Sequence, residues 1–383
     1  MKEEKYIIFD INSSEIVCVC AKKHSNGAFE ILKNLKNKID ADNDNSLAIN
    51  NIDNKDKFDK ISKIMNEMFA KIKILGKFNK DVVVGMPNEY CVLETSNATK
   101  VIGKEETIID LIKLKDTIVP DIEESNGELY TNFFNTIAGY TVSNEEYGKG
   151  RKKTRNRLDL HISRSFCDKI FLLLIKNIVE NNGYTFKPVI SGILSAKYLL
   201  TKIKRSPNFL MLCCEEKNTT FMIGNCNTIK YMKVCNIGME SITNKVFSLI
   251  KKTGKNISYE TSKKLLNSAV LTLNDKDTKY KVGEDDFPVF IINREIKICV
   301  NELINKMIDF IKEVITEENI SIKNTIYLLG NGITKIDGLK NYIEYCLDGS
   351  KIEILKPDLP QMNKTELCFV VSLLSFAMDN KLI

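Results

Sequence analysis

Apolar positions fall into short blocks along this chain, and the spacing within each block predicts an element. Tyr6 to Ala21 (YIIFDINSSEIVCVCA) holds two apolar runs parted by the polar turn Asp10–Ser14, which predicts a pair of strands. Asn37 to Lys60 is rich in Asp and Asn and reads as a surface loop. From about Phe58 to Ile74, Phe58, Ile61, Ile64, Met65, Met68, Phe69 and Ile72 recur at helical spacing. Asp81 to Met86 (DVVVGM) predicts a buried strand closed by Pro87.

The pattern changes between Asn88 and Ser163. Short strand-like runs (Tyr90–Leu93, Ile137–Val142, Leu158–Ile162) surround a helical pattern near Glu105–Leu114, which suggests an inserted α+β module. Phe166 to Asn182 predicts a helix closed by Gly183, and Pro188 to Leu200 a strand and helix. Phe209–Cys214, Thr219–Ile223 and Thr228–Val234 predict a strand meander, followed by helices at Ile242–Lys252, Tyr259–Ser268 and Ile291–Glu317. Thr325 to Leu329 is a strand ending in Gly330–Asn331–Gly332, and Leu367–Met378 (LCFVVSLLSFAM) is apolar all round, so it reads as core. Strand-turn-strand openings followed by helices in both halves predict a duplicated α/β fold with a cleft between two lobes.

Composition narrows the function classes. A length of 383 residues at roughly 150 per domain suits two domains or one large composite. Hydrophobic residues at 43% and charged ones at 28% exclude disordered, collagen-like and coiled-coil chains. No apolar run approaches the roughly 18 residues of a spanning helix, and the acidic opening MKEEKYIIFD lacks a signal's apolar core, so a cytosolic chain is expected. The net charge of +6 is small and spread, unlike a nucleic-acid footprint. The 11 cysteines form no CxxC pair and there are only 2 histidines, so buried thiols are expected and a zinc site is not. His161, in the alternating run LDLHIS, reads as a strand histidine.

There is no GxxxxGK[ST] loop, no GxGxxG after a strand, no GxSxG elbow and no HExxH, so no catalytic residue and no metal ligand is assigned. Three spaced segments remain: Ile7–Phe9 with Asp10–Ser14; Ile237–Val246 with Tyr259–Lys263 (YETSK); and Tyr327–Leu339 (YLLGNGITKIDGL). Together they resemble the actin-like nucleotide-binding fold, in particular the FtsA type of bacterial cell-division protein. Val82–Lys100 and Gly139–Ser163 are similar to the opening and closing strands of that type's inserted module. The resemblance spans nearly the whole chain as a thin pattern of spaced similarity.

The resemblance implies ATP, with magnesium, as the cofactor. Asp10, Ser13 and Ser14 would form the first phosphate turn, with Asn12 standing where the family has Gly. Gly238 would open the second lobe's helix, Glu260 and Lys263 would meet ribose and adenine, and Gly330, Asn331 and Gly332 would pass under the base. It divides the chain into a first lobe (1–87 and 164–205), the inserted module (88–163), a second-lobe core (206–238 and 290–383) and a second-lobe subdomain (239–289). It also implies a scaffold of the division machinery that binds the tubulin-like FtsZ, self-associates, and works in the cytoplasm at the inner membrane face of the division site. A PilM-like scaffold of type IV pilus assembly shares the fold and the module. An active ATPase of chaperone or sugar-kinase class is a further alternative.

Two departures matter. Where the family's second phosphate loop reads approximately DIGGGTTD, this chain has Cys213, Cys214, Glu215, Glu216, Lys217, Asn218, Thr219 and Thr220. A glycine loop presents bare amides to phosphate, whereas carboxylates about 4 Å from a like charge would cost on the order of 4 kcal/mol at a dielectric near 20. Weak nucleotide affinity without hydrolysis is therefore expected. The sequence also ends at Asp379–Ile383 without the family's amphipathic membrane helix, which leaves the basic run Lys149, Arg151, Lys152, Lys153, Arg155 and Arg157 as the segment to meet an anionic membrane. No aromatics interleave with it, so nucleic acid is not expected.

Overall fold

The computed structural model describes residues 4–25, 28–39, 54–102, 129–147, 153–192, 208–225, 229–252, 258–271, 279–282, 289–318, 325–330, 332, 334, 336–347, 350–357 and 363–378. β1 (Glu4–Ile11) and β2 (Glu15–Lys23) pair antiparallel, and β3 (Phe29–Lys38) adds to the outer edge of β2. After α1 (Asn54–Lys73), β4 (Asp81–Met86) returns parallel to β1. A three-stranded antiparallel sheet then intervenes, with β7 (Lys153–Asp168) between β5 (Cys91–Ile102) and β6 (Tyr130–Tyr147). α2 (Lys169–Asn181) and β8 (Thr185–Ile190) complete the first lobe, with sheet order β3-β2-β1-β4-β8. Pro188 is tolerated because β8 is an edge strand, where a missing N–H costs no ladder bond.

The second lobe repeats this plan. β9 (Asn208–Cys214), β10 (Thr219–Asn225) and β11 (Ile229–Cys235) form the antiparallel meander. α3 (Met239–Lys251), α4 (Tyr259–Ser268), the hairpin β12 (Lys279–Val282) and β13 (Val289–Ile292), and α5 (Asn293–Glu317) follow. β14 (Ile326–Leu329), α6 (Leu339–Cys346), β15 (Ile352–Ile354) and α7 (Cys368–Met378) close the chain. The order β11-β10-β9-β14-β15 matches the first sheet: third, second, first, fourth, fifth of each sheet's strands in chain order. The duplication read from the sequence is thus present as one strand order used twice.

Burial explains which runs were legible. β1 and β4 are covered on both faces, so they read as continuous apolar runs. One face carries Ile7, Phe9, Val82 and Val84 against Ile61, Met65 and Phe69 of α1 and Phe171 and Ile175 of α2. The other carries Tyr6, Ile8, Val19 and Val83 against Val370, Leu373 and Leu374 of α7. The sequence reading placed 290–383 in the second lobe, but α7 crosses back onto the first lobe's sheet, which is why it has no polar face. Among the described residues no helix is long and apolar enough to cross a membrane.

Alternation along β9 joins the lobes. Leu210, Leu212 and Cys214 face α3 and α5 (Ile242, Val246, Ile304, Ile308), while Phe209, Met211 and Cys213 join the first lobe's core with Tyr327 and Leu329 of β14. Each such large side chain contributes about 1.5–3 kcal/mol on burial, so the lobes share an apolar seam at their base.

Several boundaries differ from the sequence reading. The stretch expected as a loop from Asn37 starts as the end of β3 and gives way to helix at Asn54, before Phe58. The helix expected from Phe166 begins at Lys169, because Phe166 and Cys167 finish β7 and the Asp168 side chain accepts a bond from Phe171 N at 2.8 Å as a cap. The helix expected from Ile291 begins at Asn293, after β13. The helical pattern at 105–114 and the helix expected beyond Gly192 lie outside the described residues.

Candidate functional site

In each sheet the parallel strands end on the same side, and ligands of α/β folds gather outside such carboxyl ends. From the first lobe these ends bring Asp10 (β1), Asn88 and Glu89 (a short turn, Asn88–Tyr90, after β4) and Ser191 (after β8). From the second lobe they bring Glu215 to Asn218 (after β9) and Gly330 (after β14). The two sets face each other across the cleft: Asn88 Nδ2 donates to Glu215 Oε1 at 3.3 Å, and Asn218 Nδ2 donates to Glu89 Oε2 at 3.1 Å.

The first turn is built as the sequence suggested in outline. Asn12 Oδ1 accepts from Ser14 N (3.1 Å), Ser14 Oγ (3.2 Å) and Glu15 N (2.9 Å), so its side chain closes the turn where the family uses Gly. Ser14 is thereby committed to the turn itself. Ser13 is fully buried and its hydroxyl has no partner among the described residues. Asp10 is buried, accepts from Ser191 Oγ at 2.6 Å, and has its pKa raised from 3.8 to about 7 by burial, with Glu15 adding to the rise.

The second turn differs from the expectation of two repelling carboxylates. Glu216 pairs with Lys263 of α4, which neutralises it. Glu215 is buried, and burial, then the charges of Glu89 and Asp10, push its carboxyl well above the usual range, so its charged form is disfavoured. The repulsion toward a polyanion is therefore smaller than two bare charges would give. The turn's backbone is nonetheless already engaged. Glu215 N donates to Asn218 O at 2.9 Å, and Met239 N and Glu240 N of α3 donate to the carbonyls of Glu215 (3.2 Å) and Glu216 (2.7 Å). Glu215 Oε2 and Asn218 Oδ1, buried and without a partner among the described residues, are oxygens that suit a hydrogen-bond donor, not phosphate oxygen.

The glycines assigned to the nucleotide have a packing reason of their own. A Cβ on Gly238 would lie 2.4 Å from Glu216 O, one on Gly332 would lie 2.8 Å from Glu215 O, and one on Gly330 (φ +111°) would lie 2.2 Å from Cys214 O. They let the helix N-terminus and the β14 turn close onto the 214–218 backbone. Asn331 lies outside the described residues. Glu260 and Lys263, expected together at ribose and adenine, part company: Lys263 turns to Glu216, and Glu260 lies 3.7 Å from Lys38 of β3 across the cleft mouth.

Sequence reasoning missed Asn88, Glu89, Ser191 and the buried role of Glu215. Lys57 of α1 holds Glu89 at 2.9 Å, and Gly85 leaves room for the Asp10–Ser191 contact. Polar residues just past apolar strands (Pro87–Asn88–Glu89 and Ser191) were the available signal. The first turn carries the buried Asp10 carboxyl and the buried Ser13 hydroxyl, which has no partner among the described residues, and groups of these kinds suit a phosphate and its cation; the second turn, with side chains in place of glycines, offers less. Among the described residues no group of three His, Cys, Asp or Glu side chains is arranged to hold a metal ion.

Neither a protein-family model nor a curated protein sequence matches the chain. Solved structures do. The PilM–PilN type IV pilus biogenesis complex aligns with TM-score 0.56 at 10% identity, covering 98% of this chain and 98% of its own. MreB5 of Spiroplasma citri bound to ADP aligns with TM-score 0.56 at 9% identity, over 98% and 97%. The MamK double helical filament aligns with TM-score 0.56 at 10% identity, over 97% and 99%. These identities establish the fold alone: the chain has the duplicated actin-like α/β fold, with an inserted three-stranded sheet.

Proposed function

We propose that this chain is an actin-like scaffold that takes an adenine nucleotide weakly in its interlobe cleft and self-associates, without turning the nucleotide over. The observation that carries this reading is the opposed pair of turns at the carboxyl ends of two like-ordered sheets, with Asp10 opening the first turn and the buried Ser13 hydroxyl within it having no partner among the described residues. Asp10 and Ser13 would hold the phosphate end and its cation. Asp10 holds its own proton against Ser191 when no cation is near. In the second turn the Glu215 amide is engaged by Asn218 O, and side chains at Glu215, Glu216 and Lys217 stand where the family's glycines would present bare amides to the transferred phosphate.

Within that class we favour an FtsA-like role, with a tubulin-like division protein as partner and the basic run Lys149–Arg157 as the contact with an anionic membrane. The support is the likeness of the 139–163 segment to the FtsA-type module. The second reading, a PilM-like pilus scaffold, is supported by the alignment over 98% of the chain with the PilM–PilN complex. Purified chain mixed with ATP and magnesium, then sedimented and imaged, tests self-association. Affinity capture from the native cell separates the roles: a tubulin-like protein supports the first reading, a pilus-assembly membrane protein the second. A monomer under all nucleotide conditions would overturn the scaffold reading.

A further inference from the structure

The inserted sheet joins the first lobe through two chain crossings, one where β5 leaves at Cys91 and one where β7 returns at Cys167. These two residues stand opposite each other in the antiparallel pairing of β5 with β7, and their thiols are in hydrogen-bond contact. Opposed residues of such a pair have Cα atoms about 4.5 or 5.5 Å apart, and both spacings fall within the roughly 4.4–6.8 Å that a disulfide spans. Packing fixes both ends of this neck. Tyr90 stacks on Phe171 of α2 with ring centroids 4.2 Å apart, Lys57 holds Glu89 at 2.9 Å, and the Asp168 side chain caps α2. We propose that Cys91 and Cys167 form a redox site: hydrogen peroxide oxidises them to a cross-strand disulfide that staples the neck of the inserted module, and thiol reductants reopen it.

Two thiols and one peroxide balance the chemistry. The Cys91 thiolate attacks hydrogen peroxide, the O–O bond breaks, and Cys91 becomes a sulfenic acid while the departing hydroxide takes up the thiol's proton as water. The Cys167 sulfur then attacks the sulfenic sulfur, and the S–O bond breaks with loss of a second water. The two thiols have given up two electrons and two protons, and the peroxide has become two waters. Burial selects the reagent. Cys91 is 5% exposed and Cys167 0%, so a molecule of peroxide's size reaches the pair where a bulky disulfide reagent does not. Burial, then the contact with Cys167, raises the Cys91 thiol well above its ordinary range, so thiolate is scarce and the site answers sustained oxidation slowly. Opposed Cβ atoms stand about 4.5–5.5 Å apart against about 3.5–4.5 Å in a disulfide, so closure draws the strands together by about 1 Å. A bond closed under such strain is more readily reduced, which suits a reversible link. Cys18 and Cys20 of β2 also touch, but residues two apart on one strand are about 6.4–6.8 Å apart, at the outer limit for a disulfide. A bond there would enclose one residue, whereas Cys91–Cys167 encloses the whole inserted sheet, and a link closing a long loop restricts the unfolded chain more.

The pair involves neither nucleotide nor self-association, so its failure would leave those readings standing. Trypsin separates the two cysteines into peptides 81–100 and 165–169, in each of which the cysteine named is the only one. The folded full chain is exposed to hydrogen peroxide, its remaining thiols are blocked with N-ethylmaleimide in urea, and the digest is read by mass spectrometry without reduction. The expected result is these two peptides joined with loss of two hydrogens, a join that dithiothreitol removes, and a higher urea midpoint for the oxidised chain than for the reduced one. In Cys91→Ser and in Cys167→Ser the oxidised and reduced midpoints should coincide; if neither variant folds, the parent's peptide map and midpoints decide alone. Blocked thiols at both positions, oxidation of Cys91 to sulfinic or sulfonic acid without a join, pairing of either residue with another cysteine, or an unchanged midpoint in the joined chain overturns the proposal.

Discussion

Replacing Asp10 with Asn should stabilise the fold, and increasingly so as pH rises. The Asp10 carboxyl is buried and its pKa is raised from 3.8 to about 7, so the native state holds the proton more tightly than the unfolded chain. The sign follows from linkage. Where the native state binds the extra proton, stability falls with rising pH, beginning at the unfolded pKa and levelling off above the folded one. At about 1.4 kcal/mol per unit, the whole window is worth roughly 4 kcal/mol, and about 2 kcal/mol of it falls between pH 5 and 7. The substituted amide keeps an oxygen to accept from Ser191 but adds a buried N–H donor, which costs about 1–3 kcal/mol if unpaired. The absolute gain at pH 5 is therefore near zero, and the gain relative to the parent grows by about 2 kcal/mol up to pH 7 and levels off above it. Urea denaturation of both proteins at half-unit pH steps measures the difference directly. A stability difference constant across pH 5 to 8, or one that shrinks, would refute the assignment of Asp10 as a buried acid held at a cost. Such a cost at a cleft residue is the usual signature of a group retained for a ligand.

Gly330→Ala should destabilise the fold by about 3 kcal/mol in the same assay, through left-handed strain and a clash with the Cys214 carbonyl that backbone cannot yield; a change within error would mean the β14 turn does not press on the second turn. The purified chain should sediment with anionic but not neutral liposomes, in a manner lost when the six basic residues of Lys149–Arg157 become Ser or Gln and weakened by salt that shortens screening below about 8 Å. Equal sedimentation of parent and variant would place the contact elsewhere.

The parts of the fold legible in the sequence were those covered on two faces or one clean stripe. β1, β2, β4, β9 and β10 announced themselves as apolar runs, and α1 as a helical stripe. β3 was missed because it is an edge strand whose FEILKNLKNK pattern leaves nearly every side chain at least partly exposed. β5, β6 and β7 run far longer than their apolar cores suggested, since antiparallel pairing along the inserted sheet holds polar stretches in register. β15, three residues long, has too little pattern to read.

The site divides in the same way. Asp10 and Ser13 were legible because they sit where a buried strand meets a turn. The Glu215 environment was not, since nothing local to CCEEKN says that Asp10, Glu89 and Asn88 will close around one carboxyl while Lys263 takes the next. Residues 88–89, 191 and 215–218 are far apart in the chain and meet only through the two sheets' common geometry. Gly238, Gly330 and Gly332 were read as making room for a ligand, whereas the room they make is filled by the chain's own turn.

On the proposed reading, the cleft keeps a nucleotide site on its first-lobe side while its second-lobe grip is degraded. Titration calorimetry with ATP and magnesium tests it most directly, comparing the parent with Ser13→Ala, which removes the one unpartnered buried hydroxyl of the first turn. The expected result is weak, saturable heat in the parent, none in the variant, and no phosphate release by either. No heat from the parent at any accessible ATP concentration, or tight binding with turnover that Asp10→Ala abolishes, would contradict it.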